Sequence, residues 1–397
     1  MIEDSPDDRD PYDEAIDRVF RTILAREADV ARERSRGREL FEELLRHPPA
    51  RQELLVANSA RFRSRALGEV LLERAHEAGF SDPARSSELA RLAVTLADLL
   101  AKEGTGEGID GLRARSWAQL GNALRICSDH AGAAQAFEVA VDLLESGQIS
   151  ALEIARVLDL QASLKRDQRQ FDEAMVLMDR VIAIYRKLGQ KALLGRSLKQ
   201  KSMICGESGD VEGEILLLRR ALELLSPEGE PRSFLAARHN LILALCAAGR
   251  PRDAFALLFH TRPLYLKGDR MNLLRLRWVE GAVALGLQRY EQAAVAFHEV
   301  REAFLELGLD YDAALASLDL TEVYAVQGRT ADVRRLAEEM LEVFQSRNIH
   351  REALCALSVL QQAARLEKAG LVLVREVASF LRKARTRPDL RFDLPPS

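Results

Sequence analysis

Along most of this chain a small or apolar residue is followed by further small or apolar residues four and seven positions on. The unit appears as Ala133, Phe137, Ala140, then Ala174, Met178, Val181, then Ala254, Leu258, Thr261, then Ala293, Phe297, Val300. Weaker copies start at Glu214 (Leu218, Ala221), Val333 (Ala337, Met340) and Leu373 (Val377, Phe380). Positions so spaced lie on one face of an α-helix. The steps from 133 to 174, 214, 254, 293, 333 and 373 are 41, 40, 40, 39, 40 and 40 residues. A period of that size is the mark of a stacked array, in which each unit buries its apolar face against its neighbours.

Each period holds a second stripe and short turn signals. Alternating, strand-like runs are absent, whereas Leu, Ala, Arg and Glu dominate. Glycine-containing breaks stand at Ser146-Gly147, Gly206-Glu207-Ser208-Gly209, Ser226-Pro227-Glu228-Gly229, Gly249-Arg250-Pro251 and Gly328-Arg329. Each repeat therefore reads as helix, tight turn, helix, longer link. The best copy runs from about Arg113 to Leu144. Trp117, Leu120, Gly121 and Leu124 form its first stripe, and Ala133, Phe137, Ala140 and Leu144 its second.

At these residues the chain resembles the tetratricopeptide repeat family. That family has an aromatic, Leu-Gly and a large residue on the first helix, then Ala, aromatic, Ala on the second. Trp117, Leu120, Gly121, Ala133, Phe137 and Ala140 match, with Leu124 where the family usually has Tyr. Gly121 and Ala133 are expected where two helices cross closely; Gly281 with Ala293, and Ala162 with Ala174, repeat the arrangement. The resemblance covers roughly residues 60–385. It departs in its period, near 40 rather than the family's 34, and in mostly lacking the helix-ending proline. It resembles the long-period arrays of bacterial peptide-sensing regulators, some large transcription activators and kinesin light chains. The implied fold is all-α: a tetratricopeptide-like right-handed α-solenoid of about seven to eight helix pairs, with an N-terminal helical segment.

Residues 1–48 are expected to form that segment, 49–387 the array and 388–397 a tail. Ile16, Val19, Phe20, Ile23 and Leu24 make one apolar stripe of the segment, and Leu40, Phe41, Leu44 and Leu45 another. The charged run Arg26–Arg36 between them reads as a solvated helix or as an arm that meets a partner. Ser81-Asp82-Pro83 is a helix-start signal for a degenerate copy traced by Ser86, Ala90, Ala93 and Ala97. The basic run Phe380–Arg387 reads as a solvated capping helix, with an anionic surface as the alternative.

Composition narrows the function. Net charge is -4, which disfavours nucleic acid as a partner. No apolar run is long enough to cross a bilayer, and the acidic N-terminus is unlike a secretion signal, so a cytoplasmic protein without a membrane partner is expected. Cys127, Cys205, Cys246 and Cys355 are too scattered for a metal pair. The seven histidines fall in no shared motif: His298-Glu299 lacks a second His, and His350 stands apart. Gly104, Gly106 and Gly108 read as a flexible link, since Glu103 and Glu107 would repel a phosphate. No nucleophile, base and orienting group are assembled, so no enzyme activity, cofactor or metal is expected.

What remains is binding. In the family's architecture first helices line a concave face. Arg115, Gln119, Asn122, Arg125, Arg156, Arg166, Arg196, Lys199, His239, Asn240 and Arg275 are the polar residues expected there, Gln200 beside them. Cations dominate this set, and a concave basic wall favours an acidic ligand. Arginine can bind a carboxylate through two hydrogen bonds and asparagine can pair with a peptide backbone. The expectation is an interaction scaffold that holds an acidic or extended segment of another protein. The alternative is a peptide-sensing signalling or transcription-pathway regulator whose superhelix changes shape on binding. Trp278, Val279, Leu285 and Leu318 suggest a more apolar C-terminal groove, Trp278 being either core or anchor.

Overall fold

The apolar stripes pair into antiparallel helix hairpins. In the computed structural model they follow in the order α1 (Pro11–Leu45), α2 (Pro49–Asn58), a 3-10 turn (Ala60–Phe62), α3 (Arg65–Ala78), α4 (Pro83–Lys102), α5 (Ile109–Ile126), α6 (His130–Ser146) and α7 (Ala151–Asp167). Then come α8 (Phe171–Lys187), α9 (Lys191–Ser208), α10 (Val211–Leu224), α11 (Pro231–Ala247), α12 (Pro251–Leu266), α13 (Arg270–Gly286), α14 (Tyr290–Glu306), α15 (Asp310–Val326), α16 (Thr330–Ser346) and α17 (Leu371–Ala384). The structure describes residues 11–79, 82–104, 108–147, 149–346, 357, 360–361, 371–384 and 392, without the side chains of 11–20, 22–27, 30, 146, 343–346 and 383. Outside it lie Ser81, Gly106, Glu107, His350, Cys355, residues 385–387, the tail other than Phe392, and the stripe side chains Ile16, Val19, Phe20, Ile23 and Leu24. Among the described residues there is no strand, and no helix is long and apolar enough to cross a membrane. The fold is thus all-α, a repeat array of helix hairpins.

The repeat positions read from the sequence are the core. Ala133, Ala140, Ala174, Met178, Val181, Leu218, Ala221, Ala254, Thr261, Ala293 and Val300 are fully covered. Small residues sit where helices cross. A methyl group placed on Gly121 would come within 2.9 Å of the Phe137 ring, and one on Gly281 within 2.7 Å of Phe297. Burying one such aromatic contributes about 1.5–3 kcal/mol. In place of the usual alanine, Glu214 carries a carboxylate that lies against Gly206.

The hairpin turns share one closure. Ser128, Arg169, Gly209, Gly249, Gln288 and Gly328 all have φ between 58° and 96°. The next residue donates its N–H to a carbonyl five residues back: Asp129 to Leu124 at 2.9 Å, Asp210 to Cys205 at 2.8 Å, Arg289 to Ala284 at 2.8 Å. This left-handed cap satisfies carbonyls that the helix end leaves open. Asp129 and Asp210 then cap the following helices through Gly132 and Gly213. The link after a second helix was expected to be longer. Two links are instead as tight as the turns, because Gly189 and Gly308 take the same conformation and Gln190 and Leu309 the same bond. Asp82 caps α4 by accepting from the Arg85 N–H at 3.0 Å, with Pro83 at the first helical position.

The chain forms two compact units, Met1–Gln161 and Ala162–Ser397, divided inside α7. In the first, residues 11–45 form one helix. Its Leu40, Phe41 and Leu44 share a core with Val56, Phe62, Leu67, Leu71, Leu96 and Leu112. The described side chains of the charged run Arg26–Arg36 are exposed. In the second unit one core follows α9–α13 and another α13–α17, where Ala313–Leu320 of α15 is buried on every side. First helices touch one another, α3 with α5 in the first unit, and α9 with α11, α11 with α13 and α13 with α15 in the second. In the second unit second helices pack on their own partner and on the next first helix, as α10 does on α9 and α11 and α14 on α13 and α15. Within each unit, the layer with the closer neighbours is the inner one.

Candidate functional site

The inner face of each unit is built from polar residues of first helices. In the first unit Arg115 is nearly covered. Its two terminal nitrogens donate to both oxygens of Glu69, at 2.8 and 2.6 Å, and Glu153 lies 3.5 Å away. Burial would raise the Glu69 carboxyl; the hydrogen bonds and charge of Arg115, with Arg65 and Arg156 behind, outweigh it and hold the group below the usual carboxylate range. Gln119 and Asn122 are buried, and Asn122 accepts from Arg125 at 2.9 Å. The Gln119 Nε2 is covered and has no hydrogen-bond acceptor among the described residues. Arg156, on α7, is exposed.

In the second unit Arg166 is held by Asp167 at 2.8 Å and faces Glu207 at 3.5 Å. Burial would lower its pKa, but the two carboxylates raise it above the usual guanidinium value. Gln200 donates to Ser163 at 2.6 Å, joining α9 to α7. Arg196 and Arg275 are exposed and make no ion pair among the described residues, while Lys199 is half-buried. His239 and Asn240 are also half-buried. His239 Nδ1 shares a 2.8 Å hydrogen bond with the Tyr265 hydroxyl. Burial, and then the charge of Arg275, push its pKa down to about 4, so the imidazole is neutral near neutrality. Burial pushes the Tyr265 phenol up.

The apolar C-terminal groove is corrected. Val279 and Leu318 are 1% and 0% exposed and belong to the core. Trp278 is tied inward: its Nε1 donates to Asp319 at 2.6 Å and its ring meets Phe304 edge-on. Arg382 of α17 bonds the other oxygen of Asp319. An internal carboxylate thus engages the indole that the sequence left open as a partner anchor.

Sequence reasoning missed how many of the cations are engaged within the fold. The signal was available only in part, because Glu69 and Glu153 stand on the first helices either side of Arg115 but outside its register. It also missed apolar residues on the outer layer: Val176, Leu216, Phe255, Phe259 and Val295 are 62%, 51%, 47%, 69% and 52% exposed. Among the described residues no group of three or more His, Cys, Asp or Glu side chains could hold a metal.

No protein-family model matches the sequence, and no curated protein matches it. Solved structures do. A Rap protein complexed with competence and sporulation factor is similar with a TM-score of 0.58 and 12% identity, over 81% of this chain and 87% of that one. The aspartyl phosphate phosphatase F of Bacillus subtilis gives a TM-score of 0.56 and 14% identity, over 76% and 72%. A signal-transduction ATPase with a tetratricopeptide repeat sensor from Pyrococcus horikoshii gives 0.49 and 14%, over 81% and 53%. These likenesses concern the fold.

Proposed function

We propose that this chain is a non-catalytic interaction scaffold that binds an acidic or extended segment of another protein on the first-helix face. The observation that carries the reading is a repeated cation. Arg196 of α9 and Arg275 of α13, both in the second unit, occupy one register of its first helices, with an alanine at the intervening Ala236 of α11, and both are exposed. Two guanidinium groups two repeats apart suit a ligand that runs across the repeats of that unit, since each can take a carboxylate through paired hydrogen bonds. Asn240 and Lys199 stand in the same layer and supply further donors to such a ligand. Arg115 and Arg166, satisfied by their own carboxylates, serve the packing of first helices and contribute less to the ligand than their charge suggests.

The second reading, a peptide-sensing regulator, is favoured by the likeness to a Rap protein complexed with competence and sporulation factor. It uses the same face and differs in the ligand, a short peptide in place of a segment of a folded protein. In either reading the place of action is the cytoplasm.

The test is affinity capture from the native cell extract, wild type beside Arg196→Glu/Arg275→Glu, with mass spectrometry of retained protein and peptide. Both arginines are exposed, so the reversal spares the core. A species kept by the wild type and lost by the variant supports the reading and identifies the ligand class. Identical retention by the two removes this face from the account.

A further inference from the structure

The outer layer of the second unit carries a different site. Second helices α12 and α14 stand apart over the end of α13, leaving a cleft of about 550 Å³. Phe255, Phe259 and Val295 form its walls, and Leu258, Val283 and Leu287 lie beneath. Phe255 and Phe259 are one helical turn apart on α12, and Phe259 is 69% exposed. An array's outer layer is normally polar, so aromatic walls of this kind mark an interaction surface.

The charges at its rim select the occupant. Glu280 is shared by Arg262 and Arg277, each at 3.2 Å, and Arg277 also bonds Glu299 at 2.5 Å. Glu291 accepts from Gln327 at 3.0 Å. Arg289 is left: its guanidinium lies 5.8 Å from the Phe255 ring centroid, and it has no carboxylate partner among the described residues. A cation held against an aromatic wall, at the edge of an apolar cleft, is complementary to an acid beside aliphatic side chains.

The walls select its conformation. Both are helices whose backbone groups are engaged internally, so they offer no edge to pair with an extended chain. A strand lying there would leave its own amides unsatisfied against Phe255, Phe259 and Val295. A helix satisfies its backbone itself and presents side chains at one-turn intervals. A second copy of this chain is disfavoured, because it would bring the same open Arg289 and no spare acid to meet it, Glu280, Glu291 and Glu299 being already engaged. We propose that the cleft between α12 and α14 docks an amphipathic helix of a partner protein, its aliphatic face on Phe255, Phe259 and Val295 and an acidic side chain on Arg289.

The experiment selects displayed, helix-stabilised peptides with one randomised face against the full-length chain, then measures synthetic versions by fluorescence polarisation. Selected peptides are expected to carry Leu, Ile or Met one turn apart beside an Asp or Glu. Phe259→Ser and Arg289→Glu should each weaken them by about ten-fold or more. An acid-to-lysine peptide should recover affinity for Arg289→Glu, and Arg196→Glu/Arg275→Glu should leave binding unchanged, which separates this cleft from the inner face. Circular dichroism checks that the variants remain folded, as exposed positions predict. Peptides indifferent to both cleft variants overturn the proposal. So does a selection that yields no such peptide, and so does Phe259-dependent self-association in sedimentation with no peptide bound.

Discussion

Arg115 of α5 is clasped by both carboxylate oxygens of Glu69 on α3. The pair joins successive first helices of the same layer, and Arg115 is 11% exposed while Glu69 is 41% exposed. Removing one partner of a covered pair leaves the other uncompensated, at about 3–5 kcal/mol when fully buried and less when one side meets water. Glu69→Gln is therefore expected to cost about 1–3 kcal/mol in urea unfolding. The pH dependence has a definite sign. A carboxyl held low in the folded state contributes stability that is complete above the unfolded glutamate pKa and is lost as pH falls toward the folded value. Glu69→Gln should thus destabilise at neutral pH and lose its effect in acid. An equal effect at both pH values would contradict the pairing.

Glu214 predicts the opposite slope. Burial, and then the charge of Glu207, push its pKa up to about 7. The folded chain binds the proton more tightly than the unfolded chain, so stability falls as pH rises from the ordinary glutamate value to about 7. Glu214→Gln should match the wild type below that window and be more stable above it. With screening for partial exposure the gain is about 1–2 kcal/mol. Thermal melts at the two ends of the window read it directly; a gain that does not change with pH would rule out the titration.

Among the described residues, three hairpin turns place a residue with a side chain in the left-handed conformation: Ser128, Arg169 and Gln288. That conformation costs roughly 1–2 kcal/mol for an L-residue, against about 0.4–1 kcal/mol of unfolded-state freedom that glycine adds. Gln288→Gly is expected to stabilise by about 0.5–1 kcal/mol. Gly249→Ala, at the same place one repeat earlier, should destabilise by a similar amount. Denaturant midpoints compare the two, and a loss of stability in Gln288→Gly would show that the turn is held by something other than its backbone.

The repeat was legible because its buried positions are local. Ala133, Phe137 and Ala140 announce one helix face whatever packs on it, and the Gly121–Phe137 crossing follows from residue size. The inner face was legible only as a register. Whether an arginine there is open depends on carboxylates about 40 residues away, as Glu69 is from Arg115 and Glu207 from Arg166. Val279 and Leu318 read as groove because a first helix was assumed to have an open side. Ala313–Leu320 is enclosed by α14, α16 and α17, so no open side remains there. Phe259 was hidden by its neighbours Ala254 and Leu258, whose apolar stripe made a nearby aromatic unremarkable.

The most direct measurement is fluorescence polarisation of a labelled, non-helical peptide rich in Asp, Glu and Ser, with wild type and Arg196→Glu/Arg275→Glu at low and physiological salt. The account predicts saturable binding that weakens with salt, falls about ten-fold or more in the variant and returns when the peptide's acids are replaced by lysine. Equal affinity of wild type and variant at low salt would contradict it.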